Sequence, residues 1–349
     1  MRDMSVHLRN YKPILSLLSY QRKLVSRLTW NNNKVVMLKS SSTILACLSV
    51  FLLAYSPVYG ESTGAAFLKI SPGARAAGMS SAFTAIADDA SAVYWNPSGI
   101  ANISRSQFMF THSQWLEGMS YDYASFVQPR PLGAVGLGVT YLSQGSFDGR
   151  DENRQPTGNF SASDIALAAS IIRRFSWGSI GMNLKVINQK IESESATGIA
   201  VDLGYKFQYT GLPLSLGLAV QNIGPQMKFI DEAYSLPLTI SGGVGYRIGG
   251  MVLAVDIRKG VYSNNTSMSI GTEYWIYNAV ALRTGYLSRV VSYTKTNSDI
   301  NGDLGSKLEN IAGLGAGIGL KIAGYQVDYA LVPYGELGNT HRITLSAGF

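Results

Sequence analysis

The stretch GIAVDLGYKF, Gly198 to Phe207, sorts its side chains onto two faces: Ile199, Val201, Leu203, Tyr205 and Phe207 fall on one, and Gly198, Ala200, Asp202, Gly204 and Lys206 on the other. Only a strand separates residues this way, because its successive side chains point to opposite sides. The same period of two recurs before it in VGLGVTY (Val135 to Tyr141) and SIGMNLKV (Ser179 to Val186). It recurs after it in LSLGLAVQN (Leu214 to Asn222), MVLAVDIR (Met251 to Arg258) and YQVDYALV (Tyr325 to Val332).

A half-buried sheet of a soluble sandwich and the wall of a membrane barrel share this alternation. Segment length and loop parity distinguish them. A membrane strand needs ~9–11 residues, whereas soluble strands average roughly 5–6, and many segments here reach the greater length. Fourteen segments begin near Ser106, Met119, Leu132, Phe160, Gly178, Thr197, Pro213, Leu236, Gly250, Thr266, Asn278, Asn310, Gly324 and Asn339. The links after the even-numbered ones are tight (QPRPLG, FSWGS, YTGLP, RIGG, IYN, KIAG). Those after the third, seventh and eleventh are long loops: SQGSFDGRDENRQPTGN, NIGPQMKFIDEAYS and SRVVSYTKTNSDINGDLGSKLE. Outer-membrane barrels have tight periplasmic turns and longer external loops, and lipid tolerates no open sheet edge. The predicted fold is therefore all-β, a 14-stranded antiparallel transmembrane β-barrel over residues 105–349. Tyr and Trp at segment ends suit interfacial girdles, and the terminal ITLSAGF ends in an aromatic, as substrates of the barrel-assembly machinery do.

Charge is partitioned along the chain. Residues 1–60 hold eight Lys or Arg and one acid, while the remaining chain holds 21 bases and 21 acids. The basicity belongs to the leader, so no nucleic-acid partner is expected. Lys39 precedes the apolar run Ile44 to Tyr55, followed by Val58-Tyr59-Gly60. This reads as a signal peptide cleaved after Gly60, with Met37 as an alternative start. The single cysteine, Cys47, lies within the leader, leaving an exported chain without thiols. Residues 61–104 then separate leader from barrel.

Catalytic constellations are sparse, and no enzymatic activity or cofactor is expected. His112 and His341 stand in strand patterns without an acid at a helpful spacing in sequence. GLGAGIGL (Gly313 to Leu320) places glycine at every second position, unlike a dinucleotide loop, and marks wall positions that another backbone approaches closely. Asp299, Asn301 and Asp303 resemble a calcium loop, but its Gly is misplaced and Asn310 stands at the closing position, leaving a weak metal candidate. Lys185, Asp202, Lys206, Arg247, Asp256, Arg258, Glu273, Arg283, Asp328 and Arg342 fall on the lumen-facing register, where opposite signs can pair. After the seventh strand, Met227, Phe229, Ile230, Tyr234 and Leu236 place apolar area where solvent is expected. They are either an extracellular contact surface for a partner or a loop folded into the mouth.

Two separated motifs carry a family likeness. GAAFLKISPGARAAGMSSAFTAIADDASAVYWNPSGIA (Gly64 to Ala101) and NIGPQMKFIDEAYSLPLTISGGVGY (Asn222 to Tyr246) resemble the opening and middle motifs of the PorV/PorQ family, relatives of the FadL-type transporters of hydrophobic compounds. Where relatives commonly have Gly-Gly after the Met, this chain has Ser80 and Ser81. The resemblance implies a fourteen-stranded outer-membrane barrel whose segment before the first strand is an N-terminal helical plug, or hatch. By that likeness Asp88 and Asp89 pair with lumen arginines, Tyr94 and Trp95 fill the bore, Asn96-Pro97 turns the chain toward the first strand, and Ala74 to Ala87 forms a helix of small residues. A helix lying outside the barrel is the competing arrangement.

The likeness also implies function. PorV-like members act in type IX secretion and bind exported proteins by C-terminal sorting domains. FadL-like relatives pass hydrophobic small molecules, and a structural barrel is the third reading. Outer-membrane lipid surrounds the wall in each case.

Overall fold

In the computed structural model, residues 63–150, 153–209, 211–263, 265–290, 313–334 and 338–349 are described. They fall in one compact unit, Val58–Phe349. The leader, with Met37 and Cys47, and the candidate calcium loop (Asp299, Asn301, Asp303) lie outside the described residues.

The strands are β1 (Gln107–Gln114), β2 (Ser120–Arg130), β3 (Gly133–Arg150), β4 (Pro156–Phe175), β5 (Gly178–Ile191), β6 (Glu194–Gln208) and β7 (Leu214–Ile223). A small hairpin follows, β8 (Met227–Phe229) with β9 (Glu232–Tyr234). The wall resumes with β10 (Thr239–Ile248), β11 (Met251–Gly260), β12 (Thr266–Ile276), β13 (Val280–Val290), β14 (Leu314–Ile322), β15 (Tyr325–Pro333) and β16 (Asn339–Gly348). All of them except β8 and β9 form one closed antiparallel barrel. Pairing of β1 with β16, His112 opposite Ile343, closes it. Closure leaves no strand edge to lipid.

The two faces of the barrel follow the alternation. Outward residues such as Leu137 (58% exposed) and Ile171 (61% exposed) carry the apolar skin. Inward positions hold Ala134, Ala166, Ser170, Asn183, Ala200, Ala254, Glu273 and Arg283, all buried. Links of two to five residues join β2–β3, β4–β5, β6–β7, β10–β11, β12–β13 and β14–β15 at one rim, which is the periplasmic one by the rule of short turns. Phe349 N–H bonds Ser106 O at 3.0 Å, so the chain end lies at this rim too.

Two links differ from expectation. The segment after the third strand is not a loop: β3 and β4 run for 18 and 20 residues, about twice the ~9–11 a bilayer requires. They form a tall hairpin, bulged between Ser143 and Ser146. Its polar, Gly-punctuated sequence lacks strand alternation because water, not lipid, surrounds it. The loop after β7 contains the β8–β9 hairpin, which sequence alternation is too short to reveal.

Residues 63–104 line the inside. An α-helix, α1 (Ala74–Gly78), packs on β13–β16, and a 3-10 turn (Pro97–Asn102) packs on β2–β6. The expected helix from Ala74 to Ala87 is only five residues long. It stops because Ser80 (φ 50°) and Ser81 (φ 71°) are left-handed, the conformation that glycine supplies without strain.

Candidate functional site: a filled bore beneath a raised wall

The plug crosses the bore from one mouth to the other. At the outer mouth, Gly64 N–H donates to Ser235 O (3.1 Å) and Ala65 N–H to Gln189 Oε1 (3.0 Å). Helix α1 then lies against β14, where Gly317 would bring a Cβ within 3.2 Å of the Gly78 Cα and Gly315 faces Ala77 O. These are the alternate glycines of GLGAGIGL, and close backbone approach is their reason.

Arg75 of α1 is the centre of an ionic lattice. Its Nε and Nη2 donate to the two carboxylate oxygens of Glu273, each at 2.8 Å. Its Nη1 reaches Asp88 (2.5 Å) and Asp89 (2.9 Å). Beyond Glu273, Arg283 bonds Glu273 and Asp328, each at 2.7 Å. Asp88 also accepts from Arg247 Nη2 (3.0 Å). Thus Asp88 and Asp89 do pair with arginine, but mainly with one inside the plug, and among the described residues Asp89 has no ion pair with a wall arginine. Arg247 stands in the inward register, yet its side chain is 55% exposed at the periplasmic end. Burial pushes the Asp88 carboxyl up, but the charges of Arg75, Lys206 and Arg247 outweigh it and hold the group below the usual carboxylate range.

The other inward charges hold backbone as well as each other. Asp256 accepts the amides of Phe83 (2.8 Å) and Thr84 (2.6 Å). Lys206 donates to Ala87 O at 2.8 Å, and Arg342 donates to Ser71 O. Lys185 pairs with Asp202 at 2.8 Å and reaches Asn222. Asp202 also accepts the Asn222 amide (2.7 Å), where a bulge offsets β6 from β7. Asn183 and Gln221, polar wall residues that sequence reading passed over, donate to Val93 O and Tyr94 O.

Helix α2 (Ala92–Trp95) carries the aromatic pair. Trp95 is fully buried against Phe83 and Tyr94, with ring centres 5.7 and 5.5 Å apart, and the Arg258 guanidinium lies 4.8 Å over its ring. Its indole N–H donates to Pro72 O at 3.2 Å. Tyr94 OH donates to Leu68 O, and burial lifts its pKa to about 12. Asn96 caps the 3-10 turn begun by Pro97, its Oδ1 accepting from Ser98 N–H and Oγ. Asn96 presses on Gly204, and Pro97 and Ser98 on Gly181, both positions where no Cβ fits.

At the outer mouth the β8–β9 hairpin folds inward. Met227 and Leu236 are 3% and 1% exposed, and Phe229 packs on the same core. Met227 and Leu236 are therefore unavailable as partner contacts, whereas Phe229 is only partly buried. Tyr234 is half-buried, its OH bonded to Glu232, and Ile230 at the hairpin turn is 62% exposed. A more prominent apolar feature was not singled out in the sequence: Phe147 and Phe160 stack 5.4 Å apart on the raised β3–β4 hairpin, Phe147 exposed and Phe160 half-buried. Their signal is two aromatics flanking a polar, Gly-rich stretch at the expected loop.

His112 is not isolated, as its spacing implied. Its Nδ1 lies 2.7 Å from Asp122 Oδ1 across the β1–β2 pair, while His341 bonds Tyr329 OH. Both histidines face outward. Among the described residues no group of three or more His, Cys, Asp or Glu could hold a metal ion.

Comparisons place this architecture. The "Uncharacterised protein family (UPF0164)" matches residues 58–278. A UPF0164 protein of Treponema pallidum (strain Nichols) is 27% identical over 174 residues, covering 46% of this chain and 44% of the relative, so the match spans less than half of that protein. Among solved structures, the Ralstonia pickettii toluene transporter TbuX has a TM-score of 0.56 at 12% identity, covering 80% of this chain and 98% of its own. The P. putida toluene transporter TodX has 0.55 at 12% identity, covering 80% and 99%. A Pseudomonas aeruginosa FadL homologue has 0.52 at 11% identity, covering 80% and 98%. These likenesses establish the FadL-like barrel fold.

Proposed function

The chain belongs to the UPF0164 family, and from its filled bore we propose that it works at its outer face, as an outer-membrane barrel of the PorV/PorQ type that binds exported proteins during type IX secretion. The observation that carries this reading is the stacked Phe147–Phe160 pair on a hairpin about twice as long as the bilayer requires. An exposed Phe147 backed by a half-buried Phe160 on a solvated strand pair suits a protein contact. A bore crossed by Arg75, Glu273, Arg283 and Asp328 is a poor path for an apolar solute, since each buried charge would have to lose its partner.

Affinity isolation from gently solubilised envelopes tests it. Wild-type protein should recover exported proteins that share a C-terminal β-domain, and F147A/F160A should lose them while remaining heat-modifiable on gels. Equal recovery by the variant would remove the hairpin from the reading.

Passive transport of hydrophobic compounds is the second reading. It draws on the fold shared with the toluene transporters and on a mouth cavity of about 130 Å³ lined in part by Leu68, Tyr94, Pro237 and Leu238. Uptake of a monoaromatic hydrocarbon by proteoliposomes, absent from protein-free vesicles, would support it over the first.

A further inference from the structure

The periplasmic margin of the barrel carries a charge pattern that neither proposed function uses. Along the wall strands, most outward positions near the short turns are apolar or aromatic: Ile180, Tyr205, Phe207, Tyr246, Ile248, Tyr274, Ile276, Ile322 and Tyr325 are examples. Among the described strands, two outward side chains at this margin are charged, Arg130 and Arg173, and both are exposed. The pairing brings them together: Arg130 is opposite Gly133 on β3, and Gly133 is opposite Arg173 on β4. They therefore sit two strand spacings apart, roughly 10 Å, with no side chain between them.

The surroundings fit one kind of occupant. Toward the bilayer centre, Gln128, Val135 and Ile171 form the next outward row, followed by Leu137 and other apolar residues. On the other flank, Phe175, Trp177 and Tyr205 stack with ring centres 4.8 and 6.0 Å apart. The Arg173 guanidinium rests over Phe175 at 5.8 Å, which limits its wandering. The segments that make this rim, 104–107, 129–134, 172–179, 206–214, 246–252, 275–280, 320–326 and 347–349, contain no Asp or Glu. Two guanidinium groups below an apolar wall, at headgroup depth and with no acid to neutralise them, match a phosphate joined to acyl chains.

We propose that Arg130 and Arg173 hold the phosphate of an anionic phospholipid of the periplasmic leaflet, its acyl chains lying along Val135, Leu137 and Ile171. The site binds a lipid by headgroup charge at one fixed place on the circumference, in contrast to the aromatic belt, which meets all lipids alike.

Native mass spectrometry of the full chain, extracted in detergent and offered equimolar phosphatidylglycerol and phosphatidylcholine, tests this. Wild type should retain phosphatidylglycerol with a preference on the order of 10-fold. R130Q/R173Q should lose the preference, each single variant should reduce it, and R130K/R173K should keep part of it. K190Q, an outward base at the opposite margin, should leave it unchanged. Heat modifiability verifies that each variant is folded; should the double variant fail to fold, the single variants decide. Equal retention of both lipids by wild type, or an undiminished preference in R130Q and R173Q, overturns the proposal. Displacement of the lipid by inorganic phosphate at equal concentration also overturns it, making the site one for a free anion.

Discussion

Arg75 of the plug and Glu273 of the wall meet in a two-pronged pair, Nε to Oε2 and Nη2 to Oε1, each 2.8 Å long and both buried. They are 198 residues apart in sequence. The pair joins a segment that could be threaded, swung or withdrawn to a wall that cannot move, so it is the place where plug seating is most directly tested.

Removing one partner breaks a buried, two-pronged pair, although Glu273 keeps Arg283 and Arg75 keeps Asp88 and Asp89; breaking such a pair costs up to roughly 3–5 kcal/mol. R75A and E273A are each expected to lower the thermal midpoint of the folded barrel and to raise small-solute permeability of reconstituted vesicles. R75M/E273M should be less destabilised than the two single changes sum to, because the two charges go together while Arg283 keeps Asp328 and Asp88 keeps Arg247. A double-mutant cycle on the melts checks the coupling.

Acid should loosen the plug only at low pH. The folded pKa of Asp88 lies below its ordinary 3.8. A depressed carboxyl contributes stability above its unfolded value and loses it as pH falls through the folded value. Protease resistance of residues 63–104 is expected to be constant at neutral and mildly acidic pH and to fall in strong acid below 3.8. D88N should weaken that step.

Ser81 has φ of 71°; its amide bonds Ala76 O at 2.9 Å, a bond that glycine keeps, while its side chain has only a 3.4 Å contact to Ser71 Oγ. S81G should raise stability by about 1 kcal/mol, the cost of a left-handed non-glycine residue. S80G should gain less, because Ser80 Oγ also donates to Gly313 O at 3.0 Å and that bond is lost. Chemical denaturation in detergent compares the two.

The wall glycines beneath Asn96 and Pro97 leave room for the plug. G204A places a methyl where Asn96 Oδ1 lies and within 2.9 Å of Pro97 Cδ. Overpacking of this kind costs about 1–3 kcal/mol. The variant should expose the plug to protease, whereas L203A on the lipid side should not.

The barrel was legible because its solvent is. Alternation in segments such as Gly198 to Phe207 records which side chain meets hydrocarbon and which the interior, strand by strand. The inward register of Asp202, Asp256, Glu273, Arg283, Asp328 and Arg342 could be read for the same reason. Other features could not. The β3–β4 extension lies in water on both faces, so it carries no alternation, and the Phe147–Phe160 pair was hidden inside an apparent loop. Arg75 was overlooked although it is the only base between Lys69 and Arg105.

The sequence by itself determined the wall: the strand count, the apolar skin, the closed topology that lipid demands, and which charges point inward. Only the tertiary structure decided what those charges touch. Glu273 meeting Arg75, Asp256 holding the amides of Phe83 and Thr84, and Met227 turning inward are contacts between residues far apart in the chain. Face alternation is a local property, set by each residue and its neighbours. A partner across the bore is fixed only when the barrel closes and brings distant segments within hydrogen-bonding distance.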